Sequence, residues 1–173
     1  MIIKRCDISN LNALSEFYNE VVDYLVKTVN YPKWMPGVYP CEETIKQSVL
    51  KGEQFALFNG DQIVGAFVFN EDPAGDYGVG NWSARLNEGE YAVIHTLATH
   101  FSSYGKGVAK LMVEYCLQLA KEKGYKAVRL DVVPDNYPAV RLYESLGFTF
   151  AGEKDLHRGF KDIPTFLLYE YNF

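Results

Sequence analysis

The sequence predicts an α/β fold built on a mixed sheet, and three observations carry this prediction. Apolar residues recur at helical spacing in several separate segments. The turn Asn59–Asp61 separates two short apolar runs, which predicts an antiparallel hairpin. A strand-like run at 126–133 follows a helix that itself follows a strand. That order predicts a βαβ crossover, whose two strands run parallel.

The N-terminal part is predicted to form a strand, two helices and a hairpin. Apolar side chains at helical spacing begin at Leu11, and Asp7 or Ser9 can cap that helix. The segment 30–40 contains three prolines and is therefore expected to be a structured loop. In chain order the predicted elements are a strand at 1–7, a helix from 11 to about 28, a helix at 42–50, and strands at 54–58 and 62–70.

The C-terminal part begins with a long glycine-rich segment at 71–90, which shows no clear periodicity. Loops of this length are uncommon unless they are functional or mobile, so we interpret it as a lid on the substrate side. In chain order the elements predicted after it are a strand at 91–99, a helix from 108 to a stop at Gly124, a strand at 126–133, a helix at 139–146, and strands at 148–151 and 165–171.

Length and composition predict one domain, residues 1–173, in an ordinary globular protein. Apolar residues make up 48% of the chain and charged residues 23%. We expect a cytoplasmic protein with no membrane segment, because no apolar run approaches the roughly 20 residues that span a bilayer and the N-terminus does not resemble a secretory signal. The three cysteines are not at metal-ligand spacing, so no metal site is predicted. The net charge of −5 disfavours nucleic acid as a partner and suits a cationic one.

The segment Ser103–Ala109 reads Ser-Tyr-Gly-Lys-Gly-Val-Ala and lies between a predicted strand and a predicted helix. Glycines allow the backbone to approach a ligand closely, and the N–H groups that open a helix face an anion. This pattern is typical of a phosphate-binding loop. A glycine pair also serves purely geometric turns, so a second signal is needed.

That second signal is the segment 136–148, Asn-Tyr-Pro-Ala-Val-Arg-Leu-Tyr-Glu-Ser-Leu-Gly-Phe. Together the two segments resemble the coenzyme A motifs of the GCN5-related N-acetyltransferase (GNAT) superfamily. The one departure is Tyr104, which stands where that family usually has Arg or Gln. The order of predicted elements also matches the family, whose fold is a mixed, mostly antiparallel sheet with helices on both faces and a splayed parallel strand pair.

The resemblance implies that acetyl-CoA is the co-substrate and that both motifs bind it. Main-chain groups near the end of the 91–99 strand would bond the pantetheine arm, the glycine loop would hold the pyrophosphate, and Lys106 and Lys110 could add charge or simply be solvated. The residues assigned to coenzyme binding are Leu97, Ala98, Thr99, Tyr104, Gly105, Lys106, Gly107, Val108, Ala109, Lys110, Asn136, Ala139 and Tyr143.

Two catalytic residues are proposed from the sequence. Tyr143 occupies the position from which family members protonate the departing thiolate, although a tyrosine at this spacing can also be a packed core residue. Asn136 would hold the coenzyme arm, and a helix N-cap explains it equally well. His95 is the candidate base, because an imidazole of ordinary pKa, about 6.5, accepts protons near neutral pH. Glu90 or a water relay to solvent are the alternatives for that base.

The implied activity is direct transfer of an acetyl group to a primary amine of a small molecule or peptide. Loop aromatics (Trp34, Tyr39, Tyr77, Trp82) and acidic residues (Asp72, Asp76, Glu88) could line a pocket for a cationic amine, while ordinary packing explains the aromatics as well. A homodimer is expected because relatives often dimerise. The alternative function is a noncatalytic acyl-CoA-binding or sensory module of the same fold.

Overall fold

The computed structural model describes all residues, 1–173. The chain forms seven strands and four α-helices. No helix in it combines the length and the apolarity that a membrane span requires. The strands are β1 Ile2–Arg5, β2 Gln54–Asn59, β3 Gln62–Asn70, β4 Tyr91–Thr99, β5 Ala127–Val132, β6 Thr149–Lys154 and β7 Phe166–Asn172, and the helices are α1 Leu11–Lys27, α2 Glu42–Leu50, α3 Val108–Glu122 and α4 Tyr137–Ser145.

The strands form one sheet in the order β1-β2-β3-β4-β5-β7-β6. The pairs β1–β2, β2–β3, β5–β7 and β6–β7 are antiparallel. The pair β4–β5 is parallel, and its register joins Tyr91–Val93 to Ala127–Arg129. Strand β4 continues to Thr99, well past this register. The predicted fold class, a mixed and mostly antiparallel α/β sheet with one parallel pair, is confirmed.

Predicted element bounds agree with the structure within two residues except at the end of β6, and two of the differences have identifiable reasons. Helix α4 begins at Tyr137 rather than at 139, because Asn136 caps it and a proline occupies its first turn, where no N–H is needed. Strand β6 extends to Lys154 rather than ending at 151. It continues through a register shift between Phe150 and Glu153, where Gly152 adopts φ +108°.

The chain divides into two compact units, each assembled from two stretches of sequence. Unit 1 comprises Met1–Phe69 and His95–Tyr115, and unit 2 comprises Asn70–Ile94 and Cys116–Phe173. The single domain expected from chain length stays a prediction.

The core of unit 1 forms because α1 places one apolar face against α2 and the hairpin strands. Its buried members on α1 are Leu14, Phe17, Tyr18 and Val21. Three polar side chains in this core are hydrogen-bonded in series, and we call them the polar chain. The Ser48 hydroxyl donates to the Gln54 side chain at 2.9 Å, and the Gln54 amide donates to the Tyr18 hydroxyl at 3.3 Å. These groups are buried, and each therefore satisfies another's hydrogen-bonding requirement.

The core of unit 2 combines β-strand side chains, including Tyr91, with Tyr77 and Trp82 of the 71–90 segment. It also contains a buried ion pair, in which Arg129 Nε lies 3.9 Å from Glu170 Oε2 and the two side chains are 3% and 2% exposed. The Arg129 guanidinium lies between the rings of Trp82 and Tyr91, at 4.2 and 4.3 Å from their centroids. Burial lowers the pKa of Arg129, which the negative charge of Glu170 partly offsets.

Candidate active site

The loop that opens α3 contains two glycines in left-handed backbone conformations. Gly105 and Gly107 adopt φ +73° and +76°, which side chains other than glycine rarely adopt. A Cβ built at either position would meet no heavy atom within 4 Å. The space in front of both glycines is therefore open, and glycine is needed for its backbone conformation rather than for lack of room.

The amide groups of this loop are the second part of the cradle. The first helical hydrogen bond of α3 runs from the Leu111 N–H to the Gly107 carbonyl, at 3.0 Å. Before it, the N–H groups of Gly105 and of 107–110 make no backbone hydrogen bond in the structure, whereas the Lys106 N–H donates to Ser103 at 3.3 Å. Unbonded amides at the positive end of a helix dipole suit a pyrophosphate, so this segment fits the group that the sequence predicts for it.

The side chains near the loop differ in charge and in their contacts, and Lys106 is exposed. Lys110 forms an exposed i,i+4 pair with Glu114, at 3.8 Å. Tyr104 is 48% exposed and meets the Tyr24 ring edge to face, with centroids 5.9 Å apart. Partial burial raises the pKa of Tyr104, with a smaller contribution from Tyr24, so this phenol supplies no charge for an anion. The main-chain amides, Lys106 and Lys110 are therefore the groups of this segment that suit an anion.

The C-terminal half of β4 carries the residues predicted to bond the pantetheine. Leu97 and Thr99 are half-buried, and the side chain of Ala98 is buried in the unit 1 core. Any ligand contact of Ala98 would therefore have to involve its main chain. His95 is half-buried on the same strand.

His100, which follows β4, has a structural role. Its side chain is buried, its Nδ1 lies 2.7 Å from the Ser102 hydroxyl, and its Nε2 lies 3.2 Å from a carboxylate oxygen of Glu20. It also caps the 3₁₀ turn Phe101–Ser103 by accepting the Ser102 N–H. The imidazole thus holds the turn that leads into the glycine loop.

The second motif lies in unit 2, where Asn136 is the N-cap of α4. Its side-chain oxygen accepts the Ala139 N–H at 3.3 Å. The structure therefore shows the capping role that the sequence left open. The N–H of Ala139 is occupied by this capping hydrogen bond. The coenzyme contacts predicted for Asn136 and Ala139 stay predictions that would have to involve their remaining groups.

Tyr143 lies in the last turn of α4 and is buried, with its ring 5.5 Å from that of Phe148. Burial raises the pKa of Tyr143 well above its ordinary value, and Cys116 and Asp131 add to the shift in the same direction. The phenol is consequently protonated at neutral pH, which is the state that a general acid needs.

Glu90 is a poorer candidate base than the sequence suggested. Its carboxylate accepts a short hydrogen bond from the Lys126 ammonium and another from the Asn87 N–H at 2.7 Å. The hydrogen bond from Lys126 is the main cause that lowers the pKa of Glu90. A carboxylate with a lowered pKa takes protons weakly near pH 7.

The 71–90 segment makes several hydrogen bonds within unit 2, and its role as a lid stays a prediction. Arg158 donates to the carbonyls of Pro73 and Ala74 at 3.0 and 2.6 Å, and it forms a bidentate pair with Asp131 at 2.6 and 2.9 Å. The Tyr77 hydroxyl donates to the same carboxylate at 2.8 Å. Neither Asp131 nor Arg158 was singled out by the sequence, because nothing local marks two residues that meet across 27 positions.

The aromatic residues predicted to line an acceptor pocket separate into two groups. Tyr77 is buried, and the Trp82 indole donates to the Tyr77 carbonyl at 2.6 Å while its ring covers Arg129. Both therefore pack inside unit 2, in agreement with the simpler interpretation. Trp34 and Tyr39 lie in unit 1, with ring centroids 6.2 Å apart, and Tyr39 is 41% exposed. Of these four aromatic residues only Tyr39 is exposed, whereas Trp34 and Trp82 are half-buried.

The sequence did not reveal the contact between Thr96, which lies on β4, and Tyr18 of α1. Thr96 lies between His95 and Leu97 and adopts φ +50°, and the Tyr18 hydroxyl donates to its carbonyl at 3.0 Å. The residues in contact are 78 positions apart, so no local pattern could have found them.

The structure also contains no group of three or more His, Cys, Asp or Glu side chains able to hold a metal ion.

Comparison with known proteins agrees with this geometry. The model of the Acetyltransferase (GNAT) family matches residues 16–148, most of the chain, and the protein belongs to that family. Family membership supports acyltransferase activity in general.

Curated relatives carry N-acetyltransferase names. The chain is 24% identical over 161 residues to the L-methionine sulfoximine/L-methionine sulfone acetyltransferase of Salmonella typhimurium, covering 88% of this chain and 82% of that protein. It is 42% identical over 53 residues to human N-acetyltransferase 8B, covering 31% of this chain and 23% of that protein. An uncharacterized N-acetyltransferase of Methanocaldococcus jannaschii is 29% identical over 79 residues, which are 46% of this chain and 34% of that protein. The last two matches therefore span about a quarter and a third of those relatives.

Solved structures share the fold along the whole chain. A GNAT-family acetyltransferase of Listeria monocytogenes superposes with a TM-score of 0.77 at 16% identity, covering 99% of this chain and 94% of that one. A ribosomal-protein-alanine N-acetyltransferase of Brucella melitensis gives 0.72 at 16% identity, with all of both chains covered. At these identities the likeness establishes the fold and leaves the acceptor open.

Proposed function

We propose that the protein is an acetyl-CoA-dependent N-acetyltransferase that transfers the acetyl group directly to a primary amine of a small molecule or peptide. The observation that carries the proposal is the cradle of unbonded amides at 105 and 107–110, opened by two glycines with positive φ. The cradle is the segment that resembles a coenzyme A motif of the GNAT family, to which the chain belongs.

When bound, acetyl-CoA would supply an acetyl group activated as a thioester. The chain's own residues would have three tasks: to remove a proton from the ammonium form of the acceptor, to stabilise charge on the thioester oxygen, and to protonate the leaving thiolate. We assign the first to His95, with a water relay as the alternative, and the second to a main-chain N–H of β4. The third falls to Tyr143, whose raised pKa keeps its proton available at neutral pH.

In this reaction the amine nitrogen forms a bond to the acetyl carbon as the carbon–sulfur bond breaks. Two protons leave the nitrogen: the ammonium gives one to the base before attack, and the adduct loses the second as the amide forms. The phenol gives one proton to the sulfur and regains one afterwards, so one proton is released overall. The products are an N-acetylated amine and coenzyme A, and no metal or redox partner takes part. The acceptor faces Trp34 and Tyr39 in this proposal, because these loop aromatics remain accessible.

The proposal is tested by titrating the purified protein with coenzyme A in a calorimeter and by following thiol release from acetyl-CoA with a panel of primary amines. We expect saturable binding and amine-dependent thiol release. Binding without turnover across the panel would identify a noncatalytic acyl-CoA-binding module instead. No heat from coenzyme A at millimolar concentration would refute both functions.

A further inference from the structure

Thr96 has the least expected backbone conformation in the protein. It adopts φ +50° inside β4, whereas the other non-glycine residues with positive φ (Lys33, Ala74, His157) lie outside the strands. A β-branched residue is a true outlier in this region, because its Cβ substituents crowd the backbone. Such a conformation persists only where surrounding groups hold it.

Two tyrosine hydroxyl groups contact Thr96 from other parts of unit 1. The Tyr18 hydroxyl donates to the Thr96 carbonyl at 3.0 Å. The Tyr39 hydroxyl lies 2.6 Å from Thr96 Oγ1, and either oxygen can be the donor. One tyrosine thus fixes the main chain of Thr96 and the other fixes its side chain.

The orientation of the Tyr18 hydroxyl is set by the polar chain behind it. The Gln54 amide donates to that hydroxyl at 3.3 Å and also to the Phe67 carbonyl at 3.0 Å, and its own oxygen accepts from Ser48. Because the hydroxyl oxygen already accepts from Gln54, its proton is directed to Thr96. Burial raises the pKa of Tyr18, so the hydroxyl keeps that proton across the working pH range.

Tyr39 reaches Thr96 from the 30–40 segment, which has a defined structure of its own. The Asn30 side chain accepts the Trp34 N–H at 3.0 Å and donates to the Trp34 carbonyl at 2.6 Å. The Tyr39 and Met35 main chains then form a short antiparallel bridge. Tyr39 is therefore presented to β4 by a folded loop rather than by a free side chain.

The position of Thr96 gives these contacts a functional meaning. It separates the candidate base His95 from Leu97, where the pantetheine contacts are expected. A positive φ rotates the peptide groups around it out of the regular strand direction. The two tyrosine contacts with Thr96 thus act on the stretch of β4 from which a main-chain N–H would stabilise the thioester oxygen.

We propose that Tyr18 and Tyr39 are positioning residues for acyl transfer, which hold Thr96 in its left-handed conformation and so aim the neighbouring β4 amides at the acyl group. This inference rests on the proposed acetyltransferase function. It adds a role for the 30–40 segment, which would link the acceptor side of the site to the strand that binds the donor.

The test is a double-mutant cycle between Tyr39→Phe and Thr96→Val. Both changes remove one oxygen and keep the shape of the side chain, and valine has the same backbone preference as threonine. We expect each to lower kcat about tenfold, the double variant to lose no more than either alone, and the Kd of coenzyme A to stay within about twofold, because the glycine loop is unchanged. Tyr31→Phe is the matched control, since Tyr31 lies in the same segment and its hydroxyl makes no hydrogen bond in the structure.

A rescue variant separates positioning from general stability. Asparagine adopts positive φ much more readily than threonine, so Thr96→Asn in the Tyr39→Phe background should recover most of the lost kcat. An unchanged kcat in Tyr39→Phe, or additive losses in the cycle, would overturn this inference while leaving the proposed function intact. Absence of turnover in the wild type across the amine panel would instead overturn both.

Discussion

Tyr143 combines a buried ring with a raised pKa, and together they decide what chemistry its hydroxyl can do. A phenol that keeps its proton at neutral pH cannot act as a base, but it can donate to a thiolate. Packing and catalysis do not exclude each other here, because Phe148 contacts the ring and leaves the role of the hydroxyl to be assigned. Removing only the hydroxyl oxygen of Tyr143 therefore separates the two roles that the sequence allowed, general acid and packed core residue.

Replacement Tyr143→Phe is expected to lower kcat by about 10- to 10⁴-fold, the range of general acid catalysis, with little change in the melting temperature. The measurement is thiol release at saturating acetyl-CoA and amine. Tyr171→Phe is a suitable control, because the Tyr171 ring also contacts Phe148, at 5.6 Å. Equal kcat in the two variants would assign Tyr143 to packing.

The choice of base is decided by comparing His95→Gln with Glu90→Gln. We expect kcat/KM to fall about 10²- to 10⁴-fold for His95→Gln, because it removes the group that accepts the ammonium proton. Glu90→Gln should have little effect, since the Lys126 ammonium lowers the pKa of Glu90 and makes it a weak base. Near wild-type kcat/KM in both variants over pH 6 to 9 would point to a water relay.

The glycine loop is the element that we propose to bind an anion, mainly through its main-chain amides. Its cradle depends on two backbone conformations and on helix-opening amides, so replacing Arg or Gln of the family by Tyr104 leaves this part intact. The element therefore predicts binding of the pyrophosphate despite the missing side chain. Glycine conformation, rather than side-chain identity at 104, is what should be tested.

Gly107→Ala is expected to weaken coenzyme A binding about tenfold or more, because φ +76° is strained for alanine and relaxation of the loop would redirect its amides. The measurement is calorimetric Kd. Gly124→Ala is the matched control, since Gly124 follows the other end of α3 and has φ +79°, so it carries a similar strain without touching the cradle. A similar Kd in both variants would argue against the cradle.

For the molecule as a whole, the buried charges of unit 2 are the most consequential feature for stability. Arg129 and Glu170 are nearly inaccessible, yet Arg129 Nε and Glu170 Oε2 lack hydrogen-bond partners. Their other atoms tie the 71–90 segment to the sheet, because Arg129 donates to the Ala84 carbonyl and Glu170 accepts the Ser83 N–H. Buried ion pairs contribute little net stability, but breaking one leaves an uncompensated charge.

Glu170→Gln should accordingly lower the free energy of unfolding by about 3–5 kcal/mol, measured by urea denaturation. Removing both charges with Arg129→Met and Glu170→Leu should recover part of this loss, because no isolated charge remains. The exposed pair of Lys110 and Glu114 provides the control, and Glu114→Gln should cost less than about 1 kcal/mol. A loss that small for Glu170→Gln would show that water reaches the pair.

The sequence by itself determined the order of elements, most of their bounds, and the two motifs. Helical periodicity, the Asn59–Asp61 turn and the glycines at 105 and 107 are preferences of neighbouring residues, and they act before the chain has folded. Tertiary structure alone decided that the Tyr18 hydroxyl meets Thr96 across 78 positions and that Lys126 weakens Glu90 as a base. These outcomes depend on burial and on partners brought together from distant parts of the chain, and no local pattern encodes either.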